Sequence, residues 1–128
     1  EALVRVKDSF NSYPLGQLAE AGAVAALQDE TYFQEKRSAI IANREKLTAT
    51  LIRLGFVVLP SSANFVFARH PNHTGAALSA ALRERAVLVR HFSGPRVSDF
   101  IRITVGSETE QGRLTEALAD HLATSSRA

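Results

Sequence analysis

Two arginines give the clearest indication of chemistry in this sequence. Arg102 stands in the middle of the apolar run 100–105. Alternation along a strand places Ile101 and Ile103 on one face and Arg102 on the other. A guanidinium stays charged at ordinary pH, so burying it without a partner is costly. Arg102 is therefore expected to bind a carboxylate or phosphate, to form an internal salt bridge, or to be exposed, and the pattern alone leaves these alternatives open.

Arg90 ends the preceding predicted strand, and residues 91–99 connect it to the strand of Arg102. In an antiparallel hairpin centred near Arg96, Arg90 and Arg102 lie opposite each other. Two adjacent guanidinium groups repel each other unless an anion lies between them, and each can hold a carboxylate or phosphate through paired hydrogen bonds. A ligand with two anionic groups would fit this arrangement. The alternative is that Arg90 only solvates the strand end, with Asp99 as its partner.

A small sheet covered by helices is expected to position these arginines. Hydrophobic periodicity predicts strands at 56–59, 64–68, 87–90 and 100–105, and helices at 14–28, 31–54, from Thr74 onward and from Ser107 through Leu122, after one or two helical turns in residues 1–7. Adjacent strands with no helix between them favour antiparallel or mixed pairing, so the fold class is α/β or α+β with about four strands.

Several residues mark where these helices begin and end. Gly55 is placed to end the long helix, Thr74 to cap the third, and Ser107 with Glu110 to form a capping box. The third helix is expected to bury one face, which consists of Ala77, Leu78, Ala81 and Leu82.

Composition describes an ordinary globular domain. The chain has 128 residues, 45% of them hydrophobic and 22% charged, and a formal charge of +2. This charge is too small to indicate a nucleic acid or membrane partner. Cysteine is absent, no apolar run approaches a membrane span, and no signal peptide begins the chain, so a cytoplasmic protein is expected. Methionine is also absent, even at position 1, which fits a piece of a longer chain.

The four histidines predict no metal site. His70 and His73 flank a turn with no third ligand expected nearby, and a solvated turn is the simpler interpretation. His91 alternates to the side opposite Arg90. His121 lies near a helix C-terminus, where a cation is favourable without further function.

Three ordered parts of the chain resemble the histidinol-phosphate aminotransferases, which are fold-type I enzymes that use pyridoxal phosphate. The matching segments are VKDSFNSYPL at 6–15, PSSANFV at 60–66, and VLVRHF at 87–92 with PRV at 95–97 and FIRITVGS at 100–107. The resemblance covers nearly the whole chain. It implies that residues 1–128 are one domain, the C-terminal small domain, with residues 1–14 connecting it to a large domain that precedes it.

The resemblance also implies roles for residues. Arg102 would bind the substrate α-carboxylate and Arg90 the phosphate end, with Asn11 and Asn64 as further candidates for substrate binding. The reaction would be amino transfer between L-histidinol phosphate and 2-oxoglutarate by a homodimeric enzyme. The alternatives are another class I or II aminotransferase, a threonine-phosphate decarboxylase, or a free-standing anion-binding module.

The catalytic machinery of that family is not found in this sequence. Its reaction needs a lysine that forms a Schiff base with pyridoxal phosphate, an aspartate on the pyridine nitrogen and a phosphate cup. Lys7, Lys36 and Lys46 are the lysines here, and none has the Ser-x-x-Lys-type context of the family. We therefore expect no catalytic residue, no bound cofactor and no activity in this segment alone.

Overall fold

The computed structural model describes residues 2–7 and 16–125. The helices are α1 (Ala2–Lys7), α2 (Gln17–Gln28), α3 (Glu30–Arg53), α4 (Gly75–Glu84) and α5 (Glu108–Ser125), and the strands are β1 (Val57–Val58), β2 (Phe65–Arg69), β3 (Arg90–His91) and β4 (Ile101–Thr104). Two compact units are distinguished, residues 1–35 and 36–128. Each helix among the described residues is too short or too polar to span a lipid bilayer.

The helix ends follow the cap residues that the sequence predicts. Gly55 adopts φ +88° and ends α3, while the amide of Phe56 donates to the carbonyl of Leu51. The Thr74 side chain accepts a hydrogen bond from the Ala77 amide at the start of α4. At the start of α5, the Ser107 amide and hydroxyl both donate to Glu110, which lowers the pKa of that carboxyl. These three cap predictions are confirmed.

The four strands form one antiparallel sheet in the order β1-β2-β4-β3. One face of this sheet is covered and apolar. Val66 and Ala68 of β2 and Ile101 and Ile103 of β4 are buried there, and the same core contains Leu47, Leu51, Phe56, Leu78, Leu82, Val105, Leu114, Ala117 and Leu118 from the helices and adjoining segments. Burial of these side chains supplies the main favourable free energy of folding for residues 36–128. The α/β fold class and antiparallel pairing are confirmed.

Residues 1–35 contain α1, α2 and the beginning of α3. None of the twelve residues of α2, all of which the structure describes, is buried. Leu18 and Leu27 are 91% and 84% exposed, which is unusual for leucines on a stable helix. The apolar residues of α2 therefore remain uncovered within the described chain.

Two details of the predicted elements are wrong. Residues 87–89 do not form a strand, and only Arg90 and His91 pair with β4. The reason is the end of α4, where Ala86 adopts φ +57° and the Val87 amide donates to the Leu82 carbonyl. This arrangement uses the backbone of Val87 to cap the helix. Ala77 is exposed rather than buried, although the rest of the predicted face of α4 is buried.

Candidate anion-binding site

The second face of the sheet is open, and it carries both arginines. Alternation along β2 and β4 brings Phe65, Phe67 and Arg102 to this face, where each is half-buried. The predicted separation of the two faces of β4 is confirmed, with Ile101 and Ile103 buried on the other side. The open face thus combines aromatic rings with guanidinium groups.

Arg90 and Arg102 are direct partners in the β3–β4 ladder, as the predicted hairpin requires. Residues opposite each other in an antiparallel pair project to the same face, with Cβ atoms about 4.5–5.5 Å apart. Within residues 2–7 and 16–125, neither guanidinium forms an ion pair with a carboxylate. The described chain therefore provides neither the internal salt bridge for Arg102 nor the Asp99 partner for Arg90, and two positive charges share one surface.

Aromatic rings hold these guanidinium groups. The Cζ atom of Arg102 lies 5.2 Å from the ring centre of Phe65 and 5.9 Å from that of Phe92. The Cζ atom of Arg90 lies 5.1 Å from the Phe92 ring centre. Such cation–π contacts stabilise a guanidinium without using its N–H donors. Within the described residues no hydrogen bond uses the side-chain donors of Arg90 or Arg102, so they remain available to a carboxylate or phosphate.

The loop between the two arginines is seated on the start of α4. The His91 ring Nε2 is hydrogen-bonded to the Ser98 carbonyl at 2.8 Å. Gly75, at the start of α4, packs closely against this loop. A Cβ atom on Gly75 would lie 2.7 Å from the Ser98 carbonyl oxygen and 2.8 Å from the Phe100 carbonyl oxygen. Only glycine fits without displacing the loop. Sequence reasoning missed this residue, because a glycine after a capping threonine resembles an ordinary helix start.

The two asparagine candidates are not brought to the arginine pair in the described structure. Asn64 precedes β2, its side chain is exposed, and its carbonyl accepts a hydrogen bond from the Val105 amide at 2.8 Å. This bond extends the β2–β4 ladder by one residue. Asn11 lies outside the described residues. A cavity of about 370 Å³ opens beside residues 86–89 and the start of α5, but neither arginine lines it.

Three histidines, two from the turn after β2 and one from α5, form a cluster. The ring centres of His70 and His73 are 4.9 Å apart, and those of His73 and His121 are 5.2 Å apart. The sequence analysis placed His121 near a helix C-terminus and missed its contact with His73, because the two residues are distant in the chain. Burial, and then His73, lower the pKa of His70; burial also lowers the pKa of His121. Among the described residues no group of histidines and carboxylates has the arrangement of a metal site.

Comparison with known proteins identifies the fold. The sequence model of the family "Aminotransferase class I and II" matches residues 1–119. The chain belongs to this family. The chain is 62% identical over 122 residues to histidinol-phosphate aminotransferase 2 of Rhizobium meliloti, and the match covers 95% of the chain and 35% of that protein. It is 63% identical over 120 residues to histidinol-phosphate aminotransferase 1 of Bradyrhizobium diazoefficiens, covering 94% and 34%.

Solved structures agree with this assignment. The histidinol-phosphate aminotransferase of Clostridium acetobutylicum superposes with a TM-score of 0.83 at 25% identity, over 94% of the chain and 37% of that protein. The enzyme of Sinorhizobium meliloti in complex with pyridoxal-5'-phosphate shares the fold, with a TM-score of 0.79 at 22% identity over 96% of the chain and 34% of that protein. The chain thus spans about a third of the length of the relatives that it matches.

Proposed function

We propose that this chain is the C-terminal, substrate-clamping domain of a histidinol-phosphate aminotransferase. In this proposal residues 1–128 are one small domain, and residues 1–14 connect it to the large domain. The longer protein transfers an amino group reversibly between L-histidinol phosphate and 2-oxoglutarate, as a homodimer in the cytoplasm. Relatives that are 62% and 63% identical bear this enzyme's name, which favours it over other aminotransferases and over a phosphothreonine decarboxylase.

The opposed pair of Arg90 and Arg102 is the observation that carries the proposal. The two guanidinium groups share the open face, and no carboxylate of the described chain neutralises them. We assign Arg102 to the α-carboxylate of glutamate in one half-reaction, and Arg90 to the phosphate of the other substrate. The same arginine pair can serve both half-reactions, because carboxylate and phosphate each accept paired hydrogen bonds from one guanidinium.

The aromatic surroundings strengthen this binding. Phe65 and Phe92 lie beside the guanidinium groups and Phe67 packs against Phe92, and a charged hydrogen bond is stronger where such apolar groups lower the local dielectric constant. A substrate anion docked between the arginines also relieves their mutual repulsion. Binding energy obtained here would hold the reacting amino group in a fixed orientation.

The lysines of this chain do not fit the cofactor of the proposed enzyme. Pyridoxal phosphate supplies the electron sink for amino transfer, and it requires a lysine within its pocket. Lys46 is exposed on α3 and paired with Glu108 at 2.5 Å, and Lys36 lies on the same helix. Lys7 lies in α1, at a position without the Ser-x-x-Lys-type context that the family uses. We therefore assign the cofactor pocket to the remainder of the longer protein.

A substrate panel tests the proposed function. In the full-length protein loaded with pyridoxal phosphate, we expect kcat/KM for L-histidinol phosphate to exceed that for L-histidinol by at least about 100-fold, since a site built for phosphate rejects an analogue lacking it. Greater turnover of phenylalanine or tyrosine would instead indicate a different aminotransferase. Release of carbon dioxide from threonine phosphate would indicate the decarboxylase.

A further inference from the structure

The arginine pair needs an attraction that holds it together before a ligand arrives. Arg90 and Arg102 are opposite each other on β3 and β4. Like charges in this relation destabilise a sheet. No ion pair with a carboxylate of the described residues offsets the repulsion. Unless another group attracts both, the two side chains would turn apart, and the spacing that a bound anion needs would be lost.

Phe92 is the residue that both guanidinium groups share. Its ring centre lies 5.1 Å from the Cζ atom of Arg90 and 5.9 Å from that of Arg102. Phe65, by contrast, contacts only Arg102 of the pair, at 5.2 Å. We propose that Phe92 is a positioning residue: its ring attracts both cations and sets the distance between them. Its effect on catalysis rests on the function proposed above.

The surroundings of Phe92 suit this role, because the ring is itself held in place. It is half-buried and packs against Phe67, with ring centres 5.9 Å apart. The preceding residue, His91, is fixed by its hydrogen bond to the Ser98 carbonyl. An aromatic ring held at the base of the loop can orient both guanidinium groups, whereas an aliphatic side chain of similar size would fill the space without attracting them.

Phe100 provides a matched control on the same face. Its ring stacks on Phe67, with centres 5.3 Å apart, and lies 5.9 Å from the Cζ atom of Arg69. Phe92→Leu and Phe100→Leu therefore remove the same kind of ring from the same aromatic cluster. Only the first removes the contacts to the arginine pair.

Nuclear magnetic resonance of the 128-residue chain tests the positioning directly. We expect Phe92→Leu to move the side-chain Nε–Hε signals of both Arg90 and Arg102, because the ring current is lost, and Phe92→Tyr to restore them. Phe100→Leu should move the Arg69 signal and leave the signals of Arg90 and Arg102 unchanged. If Phe92→Leu moves neither signal of the pair, or only one, the shared-ring proposal is wrong.

Kinetics of the full-length enzyme test the consequence. We expect Phe92→Leu to raise KM for glutamate about threefold to tenfold, with kcat within about twofold, and Phe92→Tyr to recover the original KM. Phe100→Leu should leave KM unchanged. A Phe92→Leu enzyme that loses thermal stability but keeps its KM would show that the ring only packs, which overturns the proposal.

The two proposals can fail separately. If Arg102→Ala leaves KM for glutamate unchanged, the proposed function fails, although the resonance shifts of the arginine pair would still stand. If Arg102→Ala raises KM and Phe92→Leu does not, the proposed function stands and the positioning role of Phe92 is rejected.

Discussion

The two faces of the sheet are built from the same strands but are stabilised differently. On the covered face, Val66, Ala68 and Ile101 are fully buried. On the open face, the neighbouring Phe67 and Arg102 are only half-buried, and they are direct partners in the β2–β4 ladder. The covered face folds the domain through the hydrophobic effect, and the open face keeps charges that the described chain does not neutralise. A single alternating strand thus places its stabilising side chains on one face and its charged side chain on the other.

Side-chain truncations on the two faces of β4 should show the largest difference in the free energy of unfolding. We expect Ile101→Ala to lower the free energy of unfolding by roughly 2–5 kcal/mol, because it leaves a cavity in the core. Arg102→Ala should change it by less than about 1 kcal/mol, since the side chain lies on the open face. Urea denaturation of the 128-residue chain measures both values. Equal losses would mean that the open face is part of the core.

Gly75 packs against the loop between the two arginines, and its replacement should have a smaller effect on stability than Ile101→Ala. The methyl group that Gly75→Ala adds would collide with the carbonyl oxygens of Ser98 and Phe100. We expect Gly75→Ala to cost about 1–3 kcal/mol and to raise KM for glutamate in the full-length enzyme, because the loop between the arginines must shift.

Gly112 in α5 is the matched control for this substitution. A Cβ atom there would meet nothing within 4 Å. Gly112→Ala should stabilise the chain by about 0.5–1 kcal/mol, because alanine favours a helix, and KM should stay the same. A stable Gly75→Ala chain with unchanged kinetics would contradict the assigned role of the glycine.

Changes in the histidine cluster should have the smallest effect. They should alter the pH dependence of stability and leave KM unchanged. The pKa values of His70 and His121 are lowered in the folded chain, so the unfolded chain takes up protons first as the pH falls below 6.5. Stability is therefore present above pH 6.5 and is lost as the pH falls towards the folded pKa values. Arg85 acts in the same direction on His121, whereas Glu84 opposes it.

Urea denaturation between pH 5 and pH 8 measures this dependence. Replacing His73, which contacts both other rings, should reduce the slope of stability against pH. Replacing His91 serves as the control, because its ring is hydrogen-bonded to the Ser98 carbonyl and, among the described residues, stacks on none of the three clustered rings. A slope unchanged by the loss of His73 would contradict the coupling within the cluster.

Local patterns predicted much of this architecture. Alternation placed Arg102 opposite the buried face of β4, and the length of the loop placed Arg90 across from it, because both follow from the two-residue period of a strand. Capping residues located the helix ends for the same local reason. The resemblance to a known family, rather than the pattern, assigned roles to the two arginines.

Features that depend on distant contacts were not predicted. His121 meets His73 only because α5 returns to the turn after β2, and nothing in its neighbouring sequence marks that contact. In the sequence, Phe92 looks like an ordinary apolar residue after a strand. Its contacts with both guanidinium groups depend on the pairing of β3 with β4. Residues 87–89 have strand-forming side chains, but the cap of α4 takes the Val87 amide. Side-chain type alone does not specify such pairings.

The central claim is that Arg102 binds the carboxylate of an amino-acid substrate. The most direct test is KM for glutamate in the full-length enzyme carrying Arg102→Ala, with Arg53→Ala on α3 as the control. We expect KM to rise about 10- to 100-fold for Arg102→Ala, the equivalent of a lost charged hydrogen-bond pair, and to stay unchanged for Arg53→Ala. An unchanged KM in the Arg102→Ala enzyme would contradict the claim.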